Sequence, residues 1–282
     1  MKAEDHGLIT AKAVDLYVGC TNSAVARAAQ SHRQRIVQGA RDEDVTPAFR
    51  RMTNWHFFRE NALLGPRKIM LCTVHPTSDA VLATHVDALY RLPPLSEDAW
   101  PCLGRIVHHI QDMSTPAHVT PVYHDMRIKD SFEHHASPRV SQVLRDMICP
   151  ADMGEVLNAR EAMTLEELYE DAARRTLARL FEGPGLIVNV NGRPESATWD
   201  WFWERHHVHT RYSTGQTHTS FPGFGRYGTP GLHFGETAFQ AGADELHVPA
   251  SVYRELLVVV VGKAVLDTMA ALAIVDRAWA RQ

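Results

Sequence analysis

The 282-residue chain is short of cysteine, and its cysteines are unpaired in sequence. Cys20, Cys72, Cys102 and Cys149 are widely spaced and form no C-x-x-C pair, which argues against a cysteine-based zinc ribbon or finger. Two disulfides or four buried thiols both fit them. No uncharged apolar run reaches the roughly 18 residues that mark a membrane-spanning helix. The nearest, Leu256 to Val275, is interrupted by Lys263 and Asp267 and reads as a buried helix. The amino terminus, MKAEDHGLIT, has no apolar stretch of the kind a signal peptide carries. The expectation is a cytoplasmic protein, or a secreted one whose leader has been removed. Internal repeats, low-complexity tracts and a basic stripe are also missing. With a net charge of -4, this leans away from a polyanion-binding surface.

What is present is a core-forming composition, with 45% hydrophobic and 22% charged residues. Histidine stands out: there are 17, roughly two to three times common usage. Imidazole is the commonest metal ligand, so the excess points toward a metal site. The periodicity is mainly helical. Helices are expected at about 5–18, 23–38, 79–91, from a cap at Ser96 to near Ser114, and from Ser131 to Pro138. Thr164 and Glu167 form a capping box for a helix to about Phe181. A last long helix should span about Ser251 to Ala280. GARDEDVTP (39–47) reads as turn and cap chemistry, and residues 183–247 as a loop-rich insertion with one short strand at Val188 and Val190. The chain is therefore expected to be all-α, a single metal-binding helical domain over 1–282, with strands scarce.

The stretch HHIQDMSTPAH (108–118) is the most unusual. His108 and Asp112 are four residues apart and share a helical face, and His118 follows just past the helix end. That geometry suits a divalent cation. A surface His–Asp pair followed by an unrelated loop histidine fits the spacing as well. His109 points about 100° away around the helix and reads as a supporting or exposed residue.

Other elements extend the pattern in order along the chain: His6 on the inward face of the first helix, Gly39-Ala40-Arg41-Asp42-Glu43-Asp44, then Asn54-Trp55-His56-Phe57. With these the chain resembles the zinc-dependent phospholipase C / P1 nuclease family. The H-x3-D-x5-H signature is matched by His108, Asp112 and His118. G-A-x-x-E-D is matched by residues 39–44, and n-H-F by Asn54, His56 and Phe57 with Trp55 inserted. The resemblance covers roughly residues 1–180 and the last helix. It implies a multi-helix bundle holding two to three zinc ions. Asp44, His56, His108 and Asp112 would hold one ion. Asp112 would bridge to a second ion, shared with His6 and the amino terminus. His118, Glu133 and a further histidine would hold the third. The family places that histidine four residues before the acid, where this chain has Lys129. His124 would serve instead, or Asp130 and His134 would form the pair.

The resemblance implies a zinc-dependent phosphodiester hydrolase, phospholipase C-like and acting on glycerophospholipid headgroups, with possible peripheral membrane contact. Asp44 would be the catalytic residue, orienting or deprotonating water. A P1-type single-strand nuclease is the alternative, with nucleic acid as partner. Lesser alternatives are an HD-type phosphohydrolase, suggested by His124-Asp125, and a non-catalytic metal-stabilised binding protein. Trp199, Trp201, Phe202 and Trp203 read as core rather than a lipid-facing patch. His206, His207, His209 and His218 read as a polar loop near the site. Arg226 would be a candidate phosphate contact.

Overall fold

The computed structural model describes residues 1–45, 54–60, 62–69, 71–124, 129–147, 157, 160, 162–183, 185–205, 224–228, 232–241 and 243–281. The calls on Pro47, Asp125, His206, His207, His209, His218 and Cys149 lie outside the described residues. Helix α1 (Ala3–Cys20) buries Asp5, His6, Ile9, Thr10, Ala13, Val14 and Tyr17. Ser23 caps α2 (Ala24–Ser31), its side chain accepting from the Ala26 amide at 2.9 Å. The single helix expected over 23–38 is two, because His32 leaves helical dihedrals and stacks on Trp100, ring centroids 5.5 Å apart.

Helix α3 (Arg33–Val45) takes in residues 39–45 of the segment read as a turn. Its glycine has a packing role. A Cβ on Gly39 would overlap the backbone of Pro101, and one on Gly104 the backbone of Ile36 and Ala40. The two helices therefore meet backbone to backbone, and burial of Ile36, Val37 and Ala40 outweighs the local turn propensity.

Residues 54–77 contribute a small sheet. Strand β1 (Asn54–Phe57) pairs parallel with β3 (Cys72–Thr77), and β2 (Arg67–Ile69) pairs antiparallel with β3. Helix α4 (Asp79–Arg91) has the bounds expected from sequence, and α5 (Ala99–Asp112) carries the central histidines. Short helices α6 (Pro116–Val119), α7 (Ser131–Ala136) and α8 (Val140–Asp146) follow. Helix α9 (Leu165–Phe181) starts at the expected capping box, with Thr164 and Glu167 each bonding the other's backbone amide.

Residues 183–247 hold more strand than expected, so the protein is mostly helical rather than all-α. Strands β4 (Leu186–Val190), β5 (Arg193–Ala197), β8 (Ala238–Ala241) and β9 (Asp244–His247) form an antiparallel sheet in the order β5-β4-β9-β8. Strands β6 (Trp203–Glu204) and β7 (Arg226–Tyr227) form a separate pair. Asn191 and Gly192, at φ 50 and 80, make the two-residue turn that joins β4 to β5. Trp199, Phe202 and Trp203 are buried in the core against Phe234, as expected.

Helix α10 (Ala250–Trp279) packs on α1, α5 and α9. It is long and apolar enough to cross a membrane by length and composition, and most of its apolar face is buried within the fold. Val260 and Val261 are core residues, so helical packing overrides their strand preference. The charge that interrupts the helix, Asp267, is buried between Arg160 and Arg175 at 2.6 and 2.8 Å. Cys20 is disulfide-bonded, whereas Cys72 and Cys102 are free thiols.

Candidate metal centre

The close contact of α3 and α5 positions the site. One turn beyond Gly39 lie Glu43 and Asp44, and one turn beyond Gly104 lie His108 and His109. Bringing the backbones together therefore brings these two dipeptides together. Strand β1 adds His56, α1 adds His6, and α6 adds His118.

Asp112 is the hub, with 1% of its surface exposed. Its Oδ1 is 3.3 Å from His6 Nε2, and its Oδ2 is 3.3 Å from both His56 Nδ1 and His108 Nε2. His118 Nδ1 is 3.7 Å from Oδ2. Among the described residues neither carboxylate oxygen accepts a hydrogen bond. His56 Nδ1 and His108 Nε2 are 3.0 Å apart, and Asp44 Oδ1 is 3.8 Å from His108 Nε2. A second group lies nearby. Glu133 Oε1 is 3.3 Å from His118 Nε2, 3.7 Å from His124 Nε2 and 2.6 Å from the buried Met1 amine.

The outer nitrogens of these rings settle which nitrogen faces inward. A carbonyl oxygen only accepts, so a ring nitrogen bonded to one carries the proton. His108 Nδ1 donates to Ala40 O at 2.9 Å, His118 Nδ1 to His56 O at 2.6 Å, and His124 Nδ1 to Val122 O at 2.8 Å. His6 Nδ1 meets Gln111 Oε1 at 2.8 Å, and the Gln111 amide nitrogen donates to Thr10 and Thr268, each at 2.9 Å. That leaves Gln111 Oε1 as acceptor and His6 Nδ1 as donor. In each neutral ring the Nε2 lone pair then faces a carboxylate lone pair. Such a pairing is repulsive unless a proton or a metal ion lies between. Tying the outer nitrogen to an oxygen is also how metal-binding imidazoles are held in one tautomer.

The distances fit a cation better than a set of hydrogen bonds. Ligands about 2.0–2.1 Å from a tetrahedral ion stand roughly 3.3–3.4 Å from one another. Among the described residues four groups have ligand atoms within 4.8 Å of one another: His6, Asp44 and His108; His56, His108 and Asp112; His118, His124 and Glu133; and Glu43, His85 and His109.

The electrostatics follow from burial against opposite charge. Burial opposes charge on Asp112, but His118, His108 and His6 hold its carboxyl well below the usual range. Glu133 is likewise pulled down, against burial, by the Met1 amine, His124 and His118. Burial works against a charged His108, yet Asp112 and Asp44 raise it to about 9. His6 is lowered by burial and by His108.

The side chains expected from sequence fall in these two adjoining groups, His6, Asp44, His56, His108 and Asp112 in one and His118, His124 and Glu133 in the other, whereas the amino terminus, expected with His6 and Asp112, lies on Glu133. Of the two alternatives for the partner of Glu133, the fold brings in His124. Lys129 and His134 are exposed, and Asp130 caps α7 and accepts from Trp203 Nε1 at 3.2 Å. His109 is fully buried, which corrects the reading that allowed it to be exposed; it faces Glu43. Arg226 forms a two-bond ion pair with Glu204, so here it serves the β6–β7 pair. Sequence reasoning missed His85, Gln111 and the role of Glu43. Their only local signal was polarity on otherwise inward-facing helical positions. No protein-family model, curated protein or solved structure matches the chain.

Proposed function

We propose that this protein is a zinc-dependent phosphodiester hydrolase of the phospholipase C kind, with its helices arranged as in the phospholipase C / P1 nuclease bundle. The observation that carries this reading is Asp112. A buried carboxylate whose two oxygens face separate histidine sets, with no hydrogen bond to either oxygen among the described residues, is suited to hold two cations at once. His56, His108, Asp44 and Asp112 would hold one zinc ion, His6 and Asp112 a second, and His118, His124 and Glu133 a third. The nitrogen-rich donor set favours zinc over magnesium or calcium.

Bound zinc ions would neutralise the phosphodiester oxygens and acidify water in the site. The chain's own residues supply the rest. Asp44 is the most open of the carboxylates around His108, its side chain 26% exposed against 2% for Asp112. It can reach a substrate water and take its proton as the water oxygen attacks phosphorus and the bond to the leaving oxygen breaks. Gln111, Ala40 O, His56 O and Val122 O keep the four inward Nε2 atoms in place.

Glycerophospholipid headgroups are the favoured substrate, since the net charge of -4 gives no footprint for a polynucleotide. Leu71 is fully exposed in the turn joining β2 and β3, on the sheet that carries His56, and suits a peripheral membrane contact. One observation favours a single-strand nuclease instead. Trp55, Tyr123 and Phe224 cluster with ring centroids 5.1 to 6.2 Å apart beside Phe57, which touches His118 and His124, and aromatic faces stack on bases. Metal content by elemental analysis, followed by parallel assays on phosphatidylcholine and single-stranded DNA, tests both. We expect two to three zinc ions per chain and turnover of the lipid. Turnover of DNA alone selects the nuclease, and a metal-free protein inactive on both overturns the proposal.

A further inference from the structure

Glu43, His85 and His109 lie outside the centre described above and share no residue with it. We propose that they form an additional divalent-cation site of the His2Glu type, suited to zinc, with a fourth position open to solvent. The site follows from how α3 and α5 meet. Consecutive helical residues point about 100° apart. Asp44 and His108 turn toward Asp112, whereas their neighbours Glu43 and His109 turn to the other side, where α4 presents His85.

The geometry matches a cation. Glu43 Oε1 is 3.3 Å from His85 Nε2 and 3.3 Å from His109 Nε2, and the three donor atoms lie within 4.8 Å of one another. Two edges therefore sit near the ligand–ligand separation of a tetrahedral zinc, about 3.3–3.4 Å. The other oxygen, Oε2, takes Arg105 Nη1 at 3.3 Å, so the guanidinium orients the carboxylate without blocking Oε1.

His109 is the second observation. It is fully buried, and among the described residues neither of its ring nitrogens has a hydrogen-bond partner. A buried imidazole with neither nitrogen paired is costly, and a cation between His109 Nε2 and Glu43 Oε1 would satisfy it. His85 and Arg105 are partly exposed, which gives an ion a path from solvent. The His56 and His109 ring centroids are 4.7 Å apart, so an ion here would stand beside the main centre as a neighbour with its own ligands.

The test is a metal count. Metal-free protein is titrated with cobalt(II), reading the visible absorption that tetrahedral coordination produces, and the zinc-loaded protein is counted by elemental analysis. Wild-type protein should take up one equivalent more than His85→Ala, or that equivalent should bind at least about a hundredfold more weakly in the variant. His85→Asn keeps a hydrogen-bond donor toward Glu43 but no imidazole, and it should show the same loss with helical circular dichroism unchanged. If His85→Asn retains every equivalent at wild-type affinity, the cluster is a hydrogen-bonded network and the proposal is overturned. Binding by the other residues is read in the remaining equivalents, so the two outcomes stay separate.

Discussion

Gln111→Leu is a sharp test of how the centre is built. Gln111 is fully buried and, among the described residues, its side chain makes three hydrogen bonds, to His6, Thr10 and Thr268, none of them to a carboxylate. Leucine is close to it in size, so the change removes polarity more than volume. Thr268 keeps its bond to Ala264 O at 2.7 Å and is not orphaned. The lasting losses are the donor to the buried Thr10 Oγ1 and the acceptor for His6 Nδ1–H, the latter a buried donor then left unmade at about 1–3 kcal/mol. For a chain of this size that lowers the melting temperature of metal-free protein by roughly 2–6 °C. Without the acceptor the His6 ring can rotate or change tautomer, and supporting bonds of this kind are worth about 10–100-fold in metal affinity. Competition with a chromogenic chelator reads the affinity directly. Gln111→Glu, which keeps an acceptor for His6 and loses both threonine bonds, should bind zinc more tightly than Gln111→Leu. If Gln111→Leu lowers the melting temperature but holds zinc within about twofold of wild type, Gln111 is a packing residue and the argument from ring tautomers fails.

Asp112→Asn keeps the shape and removes the charge between the histidine sets. It should lose more than one zinc per chain and at least about a hundredfold in activity, while Glu133→Gln loses at most one ion; a full complement in Asp112→Asn would remove the bridging role. The pH dependence of zinc uptake has a defined sign. His108 is raised to about 9 in the metal-free protein, so at pH 7.5 it carries a proton that zinc must displace. Calorimetry in two buffers of different ionisation enthalpy should show proton release at pH 7.5 that fades as pH rises through about 9, and buffer-independent heats at pH 7.5 would contradict it. Gly104→Ala drives a methyl into the backbone of Ile36 and Ala40 and must part α3 from α5. Denaturant unfolding should show a loss of at least about 2–3 kcal/mol, together with weaker metal binding, and a change below about 0.5 kcal/mol would mean the helices adjust freely.

Local chemistry was enough for the elements whose signals are local. The Thr164–Glu167 capping box is decided within a few residues, so the start of α9 can be read directly. The same holds for the i, i+4 relation of His108 and Asp112, which any helix imposes. Asn191-Gly192 is an equally local hairpin signal, and it makes the turn between β4 and β5 inside a segment that otherwise reads as loop. Other features depend on contacts between distant segments. Gly39 reads as a turn residue alone, yet it lies within α3, where the backbone of Pro101 leaves no room for a Cβ. Which histidine faces Glu133 depends on the chain path after α6, which brings in His124 and leaves His134 outside. Glu43, His85 and His109 come from three helices, and Gln111 is a helix residue like any other until Thr10, Thr268 and His6 close around it. A sequence read one segment at a time carries periodicity and capping, which are short-range. The pairing of a buried imidazole with a carboxylate on another helix is set by packing, and packing exists only in the folded chain.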